Sequence, residues 1–470
     1  MAMDSQVFWK SNVTTEIREF LKLAVPLASA QVAQASVGFV DTIMMGHLGA
    51  ESLAAGGLAS TTFQLLLNTT SGIVMAVSPL VAEAYGAEQK TQITQIARQG
   101  LWLSLFLSIP MMFAIAQLDT VMLLLGQQAA IVTLTAQYFN FILWGIFPAL
   151  GFAMLRGYVS ALSQAQIVTV IVIIGTLFNI IGNYILGFGK FGFPRMELAG
   201  LGLASGLSFW LMFLMFLVYT LNHPQLKEYQ FLRKLHRLKP QILKRLIAIG
   251  TAIAVTIALE YGLFAVVTFL MGILGTEVLA AHQTVYQTMY LIFMVPLGMS
   301  YAVTARVGQW FGQQDFKSAR RAGYISITIA AIFMIVTAIA LVIYRQQVIG
   351  IYLDIHNPAN VNVLTLAVPM LIISAVAQLL DGVQRVAMGA LYGLQDTRIP
   401  MLLSGLAFWG VGLTSGYLLG FPLGLGGVGL WTGQSIGVAV AGVIFVWRFH
   451  RLTASCNSVG YDQCDRLPPL

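Results

Sequence analysis

The chain reads as an all-α integral membrane protein, with twelve transmembrane helices in two six-helix lobes related by a pseudo-two-fold axis along the membrane normal. Three observations predict this. Of the 470 residues, 58% are hydrophobic and 9% charged, with mean hydropathy +0.81, whereas soluble domains carry about 25% charged residues. Water cannot solvate that much apolar surface, so the solvent is lipid. Second, the sequence holds twelve apolar runs near the ~20 residues a helix needs to cross the bilayer core. Third, the second half repeats features of the first.

An N-terminal segment, 1–19, has charges of both signs and no apolar stretch before a small-residue cleavage site, so it does not read as a signal peptide. The N-lobe, 20–221, contains the runs 20–45, 53–79, 97–117, 129–154, 165–187 and 198–221. In the first run Pro26 lacks an N–H and favours a bend. A polar linker, 222–242, follows. The C-lobe, 243–447, contains 243–271, 277–303, 322–344, 361–388, 399–420 and 424–447, before a polar tail, 448–470.

Sorting Lys and Arg by side orients these runs. With both termini on one face, that face collects all of the 25 basic residues except Lys190, Arg195 and Arg345. Basic residues stay cytoplasmic, which predicts cytoplasmic termini and linker in a cell's inner (plasma) membrane. The net charge of +7 is then a matter of topology, and no nucleic-acid partner is expected.

The repeat is explicit. "MGHLGAESLAA" at 45–55 aligns with "MGILGTEVLAA" at 271–281, Gly86 with Gly312, and "GNYILGF" at 182–188 with "SGYLLGF" at 415–421. Six spans per half preserve orientation, so the repeats are parallel. Transporters with repeats place their sites near the midplane at the repeat interface.

Three acids lie deep in apolar runs: Asp41, Glu260 and Asp381. An ionised acid there costs about 2.5–3.5 kcal/mol on insertion scales. They break the repeat, since Asp41 aligns with Val267, Glu260 with Gln34 and Asp381 with Ala149. Acids required by the scaffold would recur, so single occurrence favours exchangeable charge. The alternative is that each is neutral or paired and only ties helices together; Arg385, four residues after Asp381, could serve it so. Glu260 and Asp41 show no local partner. Polar neighbours add candidates for a cavity lining: Gln34 (with Gln31 on the face of Asp41), Asn179 and Asn183 one turn apart, and the stripe Gln283, Tyr286, Gln287 and Tyr290. Interhelical hydrogen bonding is the competing use of these groups.

Other features carry less. "AGLGLASG" and "GLGGVG" lack the preceding strand and following GK[ST] of a phosphate loop, and suit close helix packing. The histidines have no ligand spacing; His282, inside a run, reads as a hydrogen-bonded structural residue. Cys456 and Cys464 lack metal-site spacing and read as reduced thiols. No nucleophile motif or HExxH appears, so neither an enzyme nor a structural metal is expected.

"VDTIMMGHLG", "ALEYGLF" and "QLLDGVQRVAMGALYGLQDTRIP" resemble the multidrug and toxic compound extrusion family, specifically its NorM-like branch, over about residues 15–450. The resemblance implies a monomeric antiporter that expels cationic or amphipathic small molecules in exchange for inward H⁺ or Na⁺, by alternating access of two lobes. It maps the family's acids onto Asp41, Glu260 and Asp381, and its asparagines onto Asn179 and Asn183. A second acid carried by the DinF-like branch is absent at Asn183, which favours Glu260 and Asp381 as the coupling pair. No cofactor is expected beyond the coupling cation, and Na⁺ at Glu260 and Asp381 stays open beside H⁺. The runner-up is a lipid-linked oligosaccharide flippase; its phosphates would call for deep Arg or Lys, of which the runs show almost none. A channel would need a filter-like run, which does not appear.

Overall fold

The computed structural model describes residues 13–124, 126–233, 235–353 and 360–459, without the side chains of Ala50 and 456–459. The expectations for Cys456 and Cys464, and the placements of Lys10, Lys234 and Arg466, lie outside the described residues and side chains. Among the described residues there is no strand. Twelve helices among these residues are long and apolar enough to span a membrane: α1 (Val13–Leu48), α2 (Glu51–Gly86), α3 (Lys90–Ala116), α4 (Ala129–Ala161), α5 (Gln166–Gly187), α6 (Glu197–Asn222), α7 (Pro240–Leu274), α8 (Thr276–Gly312), α9 (Phe316–Ile343), α10 (Val361–Gly393), α11 (Arg398–Gly420) and α12 (Gly426–Ser455). Helix α1 starts seven residues before the apolar run and passes Pro26 unbroken; the last helix runs on to Val459. Hydropathy cannot see such polar end turns, because their helical hydrogen bonds do not depend on apolar side chains.

The chain forms two compact units, one of residues Ser29–Ala254, the other of residues up to Ala28 together with those from Val255. The division passes inside α1 and α7. In the second unit the start of α1 is fixed by charge: Arg306 donates to Glu16 at 2.9 and 2.7 Å, and the Trp310 indole donates to it at 3.2 Å. A Cβ at Gly298 would lie 2.4 Å from the Ala28 backbone, so only glycine admits this crossing. In the first unit the start of α7 is held likewise. A Cβ at Gly250 would lie 2.1 Å from the Ile73 carbonyl oxygen, and Arg245 reaches Glu83 at 3.2 Å.

The linker after α6 lacks regular structure over most of its length, yet its carbonyls need donors. One face of α3 supplies them: Thr94 to Tyr229, Arg98 to Phe231 and Arg233, Gln99 to Arg237 and Trp102 to Leu235.

The sequence repeat recurs in the backbone. Gly49 and Gly275, each preceding the second helix of its half, have φ of 124° and 131°. Positive φ also recurs at Glu88 (57°) and Gln314 (61°), and at Ser163 (63°) and Gln395 (62°). Such conformations disfavour side chains, so their recurrence marks a shared fold beyond a shared taste for Leu and Ala.

Candidate functional site

In the second unit, one face each of α7, α8, α10 and α12 encloses a pocket of about 860 Å³ counting its open mouth. Helix α10 contributes Ser374, Gln378, Asp381 and Arg385 at helical spacing, and α12 contributes Trp431, Gln434 and Ser435. Helix α7 brings Glu260, Tyr261 and Phe264, and α8 brings Tyr286, Tyr290 and Phe293. Gly389 fixes the α8–α10 crossing: a Cβ there would meet the Ser300 carbonyl oxygen at 2.6 Å, and Thr304 donates to the Gly389 carbonyl at 2.8 Å.

Glu260 and Asp381 therefore share one pocket. Their cation is not where spacing suggested. Arg385 donates to Glu260 on α7 at 2.9 Å, rather than pairing with Asp381 on its own helix. It also lines the pocket. The correction has a geometric cause: with α10 close to α7, the guanidinium spans the gap, and the Phe293 ring lies 5.7 Å from its Cζ. Asp381 stays within electrostatic reach of both Glu260 and Arg385. With both acids ionised, the three groups carry one net negative charge, in a setting that strengthens electrostatic interaction relative to bulk water.

The stripe on α8 divides. Tyr286 and Tyr290 line the pocket, while Gln283 and Gln287 are exposed and outside the lining. Gln283 sits a turn before the pocket, and Gln287 one residue round the helix from Tyr286. His282 is buried behind the wall, bonded to Thr268 at 2.9 Å, with its ring 5.5 Å from Trp431.

In the first unit Asp41 accepts from Asn183 at 2.6 Å. Asn183 also donates to Asn179 at 3.1 Å, and Asn179 donates to Ser205 at 3.2 Å. Both asparagines are at least 96% buried, so they form a hydrogen-bonded relay instead of lining an open cavity. Asn183 begins a short π-helical segment, Asn183–Gly187, of the kind that often marks functional sites. Gln34 is turned to another use: Arg156 donates to Gln31 at 2.8 Å and to Gln34 at 3.4 Å. The sequence reading missed Arg156, Gln378, Trp431 and Gln434. The spacing of Gln378 from Asp381 and Arg385 on one face of α10 was the available signal.

The MatE family profile matches residues 26–185 and 252–418. The probable multidrug resistance protein NorM of a Synechococcus species is 58% identical over 441 residues, covering 94% of this chain and 95% of that protein. The protein of the same name from a Synechocystis species is 52% identical over 455 residues, covering 97% and 99%. Among solved structures, the eukaryotic MATE transporter AtDTX14 superposes with TM-score 0.82 at 19% identity, over 97% of this chain and 98% of that one. A MATE crystal structure in the bent conformation gives 0.85 at 20%, over 96% and 98%; these two likenesses establish the fold. The chain belongs to the MatE family, in its NorM-like branch.

Proposed function

We propose that the protein is a monomeric multidrug efflux antiporter of the inner membrane, with both termini cytoplasmic, exporting cationic or amphipathic molecules in exchange for inward H⁺ or Na⁺. NorM relatives that carry multidrug resistance in their names support the substrate class. The observation that carries the exchange is the placement of Glu260, Asp381 and Arg385 around one aromatic-lined pocket.

The chemistry follows from charge. Arg385 compensates Glu260, which leaves one negative charge for a monovalent cation. A bound organic cation neutralises it, with the aromatic walls covering the apolar rings. A coupling cation that takes Asp381 removes the same charge, so the two compete, and exchange results when they arrive from opposite sides. A proton fits beside Arg385 more readily than Na⁺, because the guanidinium already occupies a Glu260 oxygen and repels a second fixed cation. Asp41, held by Asn183, is a second cation-binding charge. The Glu260 and Asp381 carboxylates beside Arg385 would also repel the phosphates of a lipid-linked oligosaccharide.

Efflux of a fluorescent cationic dye from proteoliposomes, with pH and Na⁺ gradients imposed separately, tests the reading. One gradient should drive efflux in the wild type, and Glu260→Gln should abolish it. Dye that stays put under both gradients, or a variant indistinguishable from wild type, would sink the assignment.

A further inference from the structure

Besides the Arg385 Nε, three neutral side chains of the pocket have buried polar atoms with nothing to bond. Gln378 is 4% exposed, and neither Nε2 nor Oε1 has a partner. Gln434 is 4% exposed with Oε1 unpartnered, and Trp431 is 5% exposed with Nε1 unpartnered. All three line the pocket. Burying a polar group without a hydrogen bond is costly, above all where lipid offers no alternative partner. Ser374 and Ser435 beside them donate instead to the Met370 and Trp431 carbonyls of their own helices. The amides and the indole are therefore a distinct set, offering acceptor oxygens at Gln378 and Gln434 and donors at Gln378 and Trp431. Gln378 lies three residues before Asp381, about 4.5 Å along the helix axis. His282, anchored by Thr268, backs the indole.

The scaffold does not demand Gln378 or Trp431. Leu186 touches Gly200 as Leu419 touches Gly429, and the 229 residues between the two glycines set Trp431 opposite Gly202. The spacing of 232 seen between Ser163 and Gln395 sets Gln378 opposite Ile146.

We propose that Gln378, Trp431 and Gln434 form a neutral hydrogen-bonding subsite, which takes the amine edge of an aromatic cation whose charge rests on Asp381 and Glu260. This rests on the transport function proposed above and narrows its substrate class: cations with donors a few ångströms from the charge are preferred over cations wrapped in bare hydrocarbon.

The test compares equilibrium binding of ethidium, a planar cation with two aromatic amines, and tetraphenylphosphonium, which has no donor or acceptor, to the full-length protein. In Gln378→Met and in Gln434→Met the preference for ethidium over tetraphenylphosphonium should fall about tenfold, since a site built to bond a substrate N–H discriminates by that bond. Methionine nearly preserves length and removes the unpaired amide, so the thermal midpoint of each variant should hold or rise. An unchanged preference in both variants overturns the subsite, as does a lowered midpoint with preference intact, which would assign the amides to the scaffold. Gradient-driven efflux of tetraphenylphosphonium by the wild type separates the two readings. Efflux with an unchanged preference overturns the subsite alone; no efflux with a tenfold fall overturns the transport reading alone.

Discussion

In the first unit the deep carboxylate Asp41 accepts a hydrogen bond from the neutral amide of Asn183, whereas in the second Glu260 accepts one from the guanidinium of Arg385. The contrast recurs nearer the helix ends. Gln164 bonds Gln225 at 2.6 Å, while the residue aligned with it in the repeat, Asp396, accepts from Arg448 at 2.5 Å. The repeat also shows what each unit gave up. Opposite Asn179 and Asn183 stand Gly412 and Gly416, and there α11 meets α12 backbone to backbone: a Cβ on Gly433 would lie 2.0 Å from the Gly416 nitrogen, and one on Gly437 2.7 Å from the Gly412 Cα. One backbone plan therefore supports two chemistries. An amide orients a carboxylate and leaves its charge whole; a guanidinium cancels one charge of two and leaves the pair open to exchange.

If that distinction is right, Arg385→Met is the harshest change. It strands Glu260 in a buried setting, and breaking such a pair costs about 3–5 kcal/mol. A large fall in thermal midpoint is expected, with recovery in Arg385→Met/Glu260→Gln, where both charges are gone. Equal midpoints for the single and double variants would mean that the pair is not coupled. Asn183→Leu should cost less, about 1.5–3 kcal/mol for a hydrogen bond to a charged group, read by the same melting assay. A loss equal to that of Arg385→Met would erase the difference between the units.

Gly433→Ala tests the close helix crossing that replaces the asparagines. Overpacking costs about 1–3 kcal/mol, and because the obstructing atoms are backbone the upper end is expected. A midpoint within error of wild type would show that the crossing yields. The smallest effect is a pH slope. Burial holds the Asp396 carboxyl above the usual carboxylate range, with the Arg448 hydrogen bond opposing. A raised folded value means that the folded chain holds its proton at higher pH than the unfolded chain. Its stabilising share is present below the unfolded value near 4 and is lost as pH rises through the folded one. The midpoint difference between wild type and Asp396→Asn should then move in favour of the variant from pH 4 to 7. Parallel curves would refute this.

Composition and the twelve apolar runs determined the membrane class and the helix count, because hydropathy and chain length alone set how many times a helix can cross lipid. The depth of Asp41, Glu260 and Asp381 was legible for the same reason: a charged letter in an apolar run is conspicuous without any knowledge of packing. Partners were not. Spacing on one helix offered Arg385 to Asp381, and only the approach of α10 to α7 gave it to Glu260. Spacing put Gln283, Tyr286, Gln287 and Tyr290 in one stripe, and only packing divided it. Gln378, Trp431 and Gln434 carry no sequence signal of being unpaired, since an unmet hydrogen bond is a property of everything around an atom. Local periodicity follows from the chain itself; which charge meets which is decided across helices.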